Sequence, residues 1–139
     1  MSYLAPEKIL DENVQEFFKD DAGDYTQNLT FFDRADAWFK RVARSVGVLD
    51  ADIPDPITEE SAELLDLYIS HKVCQRKIGI EVTLMANGQK QDMWADKAKV
   101  YKTALDDRLE ELDKYDILGI PADVTESEPD SNTIQLFRG

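Results

Sequence analysis

The sequence predicts an all-α fold: a small bundle of three main helices plus a short N-terminal helix, with an extended C-terminal arm. Three observations carry that expectation. Apolar residues recur at helical spacing over three long stretches, residues 29–46, 58–78 and 92–115. Capping and stop residues stand at the ends of those stretches. Six Gly and five Pro in 139 residues are too few for a loop-rich chain. A chain of this length has room for one core, so residues 1–118 read as a single helical domain and 119–139 as the arm.

In the N-terminal stretch Pro6 suits a first helical position, and Ile9, Leu10, Val14, Phe17 and Phe18 recur at helical spacing. The run Lys19-Asp20-Asp21-Ala22-Gly23-Asp24 then reads as a solvated break. From Leu29 to Val46, Phe31, Phe32, Ala35, Trp38, Phe39, Val42, Ala43 and Val46 form a continuous apolar stripe, while Arg34, Asp36, Lys40, Arg41 and Arg44 occupy other faces. Asn28 or Thr30 is placed to cap this helix, and Gly47 to stop it in a left-handed conformation. Pro54 and Pro56 bracket Asp55 in a rigid turn.

Thr58 is the expected N-cap of the next helix, which carries Leu64, Leu65, Tyr68, Ile69, Val73 and Cys74 on its apolar side and stops at Gly79. Its acids come early (Glu59, Glu60, Glu63) and its bases late (Lys72, Arg76, Lys77), the order the helix dipole prefers. Residues 80–91 stay open. Ile80 to Leu84 alternates like a strand and Asn87-Gly88 is a turn signal, so a two-stranded element with Thr133 to Phe137 and an exposed contact hairpin both fit.

In the last helix, from about Asp92 to Tyr115, Trp94, Ala98, Tyr101, Leu105, Leu109 and Leu112 form the apolar stripe. Its charges run against the dipole, with Lys97, Lys99 and Lys102 first and Asp106, Asp107, Glu110, Glu111 and Asp113 last. Beyond Gly119, two prolines and the run Thr125-Glu126-Ser127-Glu128 argue for an extended polar segment, which regains apolar character at Ile134, Leu136 and Phe137.

Composition excludes some classes of function. Sixteen basic residues against 29 acidic ones give a formal charge of −13, so phosphate neutralisation on nucleic acid or on an anionic membrane is disfavoured. No apolar run is long enough to cross a bilayer, and the N-terminus lacks the pattern of a secretory signal. The single cysteine, Cys74, fits a reducing cytoplasm. The acidity serves solubility, or complements a basic protein partner.

Catalytic constellations are incomplete, and no catalytic residue, metal or cofactor is expected. His71 and Cys74 stand at ligand spacing, but no other Cys or His exists to complete a zinc site. No Gly-x-Ser-x-Gly elbow and no glycine-rich phosphate loop is present. Glu59-Glu60-x-x-Glu63 resembles the first half of the metal motif of all-helical, MazG-type nucleotide pyrophosphohydrolases. Those enzymes require Glu-x-x-Asp on the following helix, and here Leu84 stands where the Asp belongs after Glu81.

The arrangement resembles the small helical head–tail connector (adaptor) proteins of tailed bacteriophages over roughly residues 29–139. The resemblance rests on Ile57-Thr58-Glu59-Glu60 followed by Leu64-Leu65-x-x-Tyr68-Ile69, on Asp92-Met93-Trp94-x-x-Lys97-Ala98-x-x-Tyr101-x-x-x-Leu105, and on the arm ending Ile134-Gln135-Leu136-Phe137-Arg138-Gly139. It implies a structural virion protein of the neck, assembled in the host cytoplasm as a ring of about twelve copies. Its partners would be the portal protein and a tail or stopper protein, with DNA passing through the channel without specific binding. The surfaces expected to meet partners are Thr133, Ile134, Gln135, Leu136, Phe137 and Arg138 in the arm, and Asp106, Asp107, Glu110 and Glu111 on the last helix. Two other readings stand beside it: an acidic protein-binding module acting as a DNA mimic or inhibitor, and the pyrophosphohydrolase.

Overall fold

The computed structural model describes residues 2–83 and 88–119, and for residues 80–83 and 88–92 the backbone alone. Among the described residues the chain forms five helices: α1 (Glu12–Glu16), α2 (Thr30–Ser45), α3 (Glu59–Thr83), α4 (Gly88–Glu111) and α5 (Lys114–Leu118). The only β-type pairing there is an isolated bridge between Lys19 and Tyr25. The fold is all-α, with three substantial helices as the periodicity predicts.

The N-terminal stretch is not one helix. Pro6–Lys8 makes a single 3-10 turn, the chain extends through Ile9, and α1 begins only after Asp11. Asp11 explains the restart, since its carboxylate accepts from the amides of Asn13 (2.9 Å) and Val14 (3.4 Å). Ile9, Val14 and Phe18 point into the core, whereas Leu10 is 86% exposed. The break at 19–24 is a turn organised by Asp20, whose carboxylate accepts from the amides of Ala22 and Asp24 and from the Thr26 hydroxyl.

Helix α2 buries Phe32, Ala35, Phe39 and Ala43. Neither expected cap acts at its start: Leu29 holds that position without a side-chain bond, and Asn28 turns its amide back to the Phe17 carbonyl (2.8 Å). Its end is as expected. Gly47 sits at φ +90°, its amide bonds to Arg44 and that of Val48 to Ala43, a Schellman closure.

Helix α3 is the centre of the molecule, packing against α1, α2, α4 and α5. Thr58 caps it as expected, accepting from the Ser61 amide (3.1 Å). The stop at Gly79 is corrected: α3 runs through that residue to Thr83, so Ile80 to Thr83 is helix, not strand. Packing against α4 outweighs the roughly 1 kcal/mol that a helical glycine costs. The fourth helix is also corrected. It starts at Gly88, four residues ahead of the expectation, and closes at Glu111. Asp113 then starts α5 through a reciprocal capping box with Asp116, and Ile117 drops into the core.

Helices α3 and α4 form a long antiparallel hairpin, each about 37 Å in length. Arg108 reaches Glu63 (2.8 Å) near one end, and Lys77 lies over the Trp94 ring near the other. One core holds the pieces together: Phe18, Phe39, Leu65, Ile69, Val73 and Ile117 are all essentially without solvent contact. Each such side chain contributes about 1.5–3 kcal/mol of transfer free energy.

Candidate functional site

The bases of α3 acquire a different meaning in the fold. Lys72 and Arg76 lie well inside a helix that continues to Thr83, and its last turn holds no basic residue. The dipole therefore does not account for them. Instead they line a cleft of about 300 Å³ with Phe31, Arg34 and Tyr68, at the seam between α2 and α3. Trp38 stacks on Tyr68 with centroids 4.2 Å apart, and the Lys72 ammonium lies 5.5 Å from the Tyr68 ring centroid. Among the described residues, Arg34, Lys72 and Arg76 have no ion-pair partner. A cationic and aromatic cleft thus stands in a protein of net charge −13.

The acidic residues expected to meet a partner stand elsewhere. Asp106, Asp107, Glu110 and Glu111 are all exposed along the end of α4. Asp106 is partly neutralised by Lys102 at 3.0 Å, whereas the other three have no ion-pair partner among the described residues. Glu63 and Lys77 mark the side of α3 that meets α4. The interval from Glu63 to Lys72, like that from Tyr68 to Lys77, is about two and a half helical turns, so the cationic stripe lies on the opposite side of α3 from α4. Part of the acidic run has a local role: Asp113 and Asp116 serve the start of α5, where negative charge is favourable. The other expected contact segment, Thr133 to Arg138, lies outside the described residues, as does the rest of the arm from residue 120.

His71 and Cys74 stand one turn apart on α3. His71 is half-buried, and its pKa is lowered by burial and by Lys72 and Lys102. Cys74 is buried, and burial pushes its thiol up to about 11, so it stays protonated and weakly nucleophilic at neutral pH. The fold does bring Glu60 and Glu63 beside Glu111 and Asp116, around a depression of about 140 Å³. Arg108 also lines it, paired with Glu63. Among the described residues no three His, Cys, Asp or Glu side chains are gathered as a metal would require, and no helix is long and apolar enough to cross a membrane.

The cleft was accessible to sequence reading only in part. Tyr68, Lys72 and Arg76 share one helix face at i, i+4 and i+8, which the sequence displays. That Phe31 and Arg34 complete the face depends on how α2 crosses α3, which local spacing does not encode. Comparison with protein-family models gives no match, and comparison with curated proteins and with solved structures gives no significant one.

Proposed function

We propose that this chain is a structural assembly protein whose copies associate head to tail, and that it serves as a head–tail adaptor ring between a portal and a tail or stopper protein. The observation that carries the reading is the placement of charge: a cationic, aromatic cleft on one side of α3 and, beyond the other, a row of exposed carboxylates on α4, of which only Asp106 has an ion-pair partner among the described residues. Two different, complementary faces on one subunit make a heterologous contact, which generates a ring when its rotation closes. Exposed ion pairs supply only about 0.2–1 kcal/mol each, so they set register while Phe31 and Tyr68 supply area. The remaining acidity suits a channel wall that repels DNA phosphates and lets the duplex pass.

Light scattering on the protein alone and with portal protein tests the proposal. A discrete ring, or a stable portal complex, is the expected result. Association is expected to weaken from 0.15 M to 1 M salt, as the screening length falls from about 8 Å to about 3 Å. A monomer at every concentration, with no portal complex, would favour the acidic binding module instead. Magnesium-dependent release of pyrophosphate from nucleotides, lost in Glu60→Gln, would establish the pyrophosphohydrolase. Removing Thr133 to Gly139 is expected to abolish attachment to the portal and to leave the helical content unchanged.

A further inference from the structure

A second concavity, of about 740 Å³, runs between the N-terminal segment and the start of α3. Tyr3, Leu4, Leu10, Ile57 and Ala62 give it an apolar lining, in which Leu10 is exposed, Tyr3, Ile57 and Ala62 are half-buried and Leu4 is buried. Its volume is in the range of about 300–1,000 Å³ typical of ligand-holding pockets. The charged residues of its lining are Asp55, Glu59, Glu63 and Asp66 against Lys8, and Glu63 is in addition paired with Arg108 of α4. An apolar floor beneath a predominantly acidic rim fits a short apolar segment that carries a positive charge.

The chain itself supplies such a segment. The last described residue, Gly119, stands against Thr58, whose Cγ2 would lie 3.7 Å from a Cβ added there. Ile57 and Glu59, on either side of Thr58, line the groove, so the chain continues from a point beside it. Residues 120–133 then allow a reach of about 20 Å on average for a flexible chain and about 48 Å at full extension. Asp123, Glu126, Glu128 and Asp130 make this spacer purely acidic, so the rim repels it. Next come Ile134, Leu136 and Phe137, with Arg138 as the only charged side chain among them.

We infer that the groove between the N-terminal segment and the start of α3 is the seat of this chain's own segment Ile134–Arg138, docked in cis with Leu136 and Phe137 on the apolar floor and Arg138 toward the acidic rim. A linker of this length gives an effective concentration in the millimolar range, so at micromolar protein the tethered segment outcompetes the same segment of a second copy. The inference stands apart from the ring, because a chain that never oligomerises would still dock its own arm. If the adaptor reading holds, the arm is latched until a partner displaces it.

Hydrogen exchange on the full-length protein tests this, comparing wild type with the double variant Leu136→Ser, Phe137→Ser. Amides of Tyr3 to Leu10 are expected to exchange about tenfold faster in the variant, the ratio of a millimolar effective concentration to a site of roughly 100 µM affinity. That difference is expected to be unchanged between about 1 and about 100 µM protein, and a synthetic peptide of residues 133–139 is expected to restore protection to the variant. Equal exchange in the two proteins would overturn the docking. Protection that grows with protein concentration would assign the groove to a second copy and overturn the cis arrangement. Faster exchange in the core of α2 as well would make the segment part of the core and overturn the latch.

Discussion

Lys97 on α4 grips Asp11 at the start of α1, its ammonium lying 3.0 and 2.8 Å from the two carboxylate oxygens. The Tyr101 hydroxyl, one turn further along α4, donates to the same carboxylate. Asp11 thus caps α1 and ties the N-terminal segment to the outer helix of the hairpin. Its side chain is only 11% exposed, and that of Lys97 26%. Replacing Asp11 with Ala removes a cap worth about 1 kcal/mol and leaves two donors short of an acceptor, at about 1–3 kcal/mol. Asp11→Ala is therefore expected to lose about 2–4 kcal/mol in urea unfolding, and Tyr101→Phe about 1 kcal/mol. A loss below 1 kcal/mol in Asp11→Ala would mean that the contact with α4 contributes nothing.

Asp11 and Asp66 should respond oppositely to pH. Burial alone would raise Asp11, but donors from Lys97 and Tyr101 outweigh it and hold its pKa below the ordinary value. The stability it contributes is present above the unfolded pKa and is lost as pH falls through the folded one. Asp66 is raised, chiefly by burial, although it accepts from Ser70 and from the Leu10 amide. Its folded form binds the proton more tightly, so its contribution falls as pH rises from the unfolded value through the raised folded one. Asp66→Asn is expected to gain on wild type when the urea midpoint is compared at pH 7 and at pH 4. A difference between the two proteins that does not change with pH would refute this.

Much of the fold was legible because local signals and packing agree. The stripe from Phe32 to Ala43 and the stop at Gly47 both hold, since the left-handed glycine satisfies the last carbonyls whatever α2 packs against. The reading failed where a local signal lost to a tertiary one. Gly79 looked like a stop, but α3 continues through it alongside α4. Asp113 looked like one more acid in a long helix, and the geometry makes it the cap of another. The same limit hid the cleft, since Lys72 and Arg76 read as a dipole device until the end of α3 moved to Thr83.

The two glycines give a direct check, because one substitution should have opposite signs at the two sites. Gly47 sits at φ +90° with nothing within 4 Å of an added Cβ, so Gly47→Ala meets strain alone, about 1 kcal/mol. Gly79 is exposed in a helix interior, and among the described residues nothing lies within 4 Å of an added Cβ. Gly79→Ala is expected to stabilise by about 0.5–1 kcal/mol through helix propensity and a less flexible unfolded chain. Thermal unfolding of both variants is the measurement, and a gain at Gly47 or a loss at Gly79 would contradict the backbone assignment.

Charge exchange between the two faces is the strictest test of head-to-tail association. Lys72→Glu and Arg76→Glu put carboxylates into the cleft, where an incoming acidic helix end would meet repulsion instead of attraction. Each reversal is expected to weaken self-association by roughly threefold to tenfold, as exposed pairs allow. Asp107→Lys and Glu111→Lys on a separate chain should be equally deficient alone. Mixing the two deficient proteins should rebuild assemblies in which they alternate, because the acidic cleft of one meets the new lysines of the other, and the unchanged cleft of the second meets the unchanged acids of the first. Combining all four substitutions in one chain reverses both faces together and should restore assembly. No recovery in the mixture, or none in the quadruple variant, would mean that the cleft and the α4 acids do not meet each other.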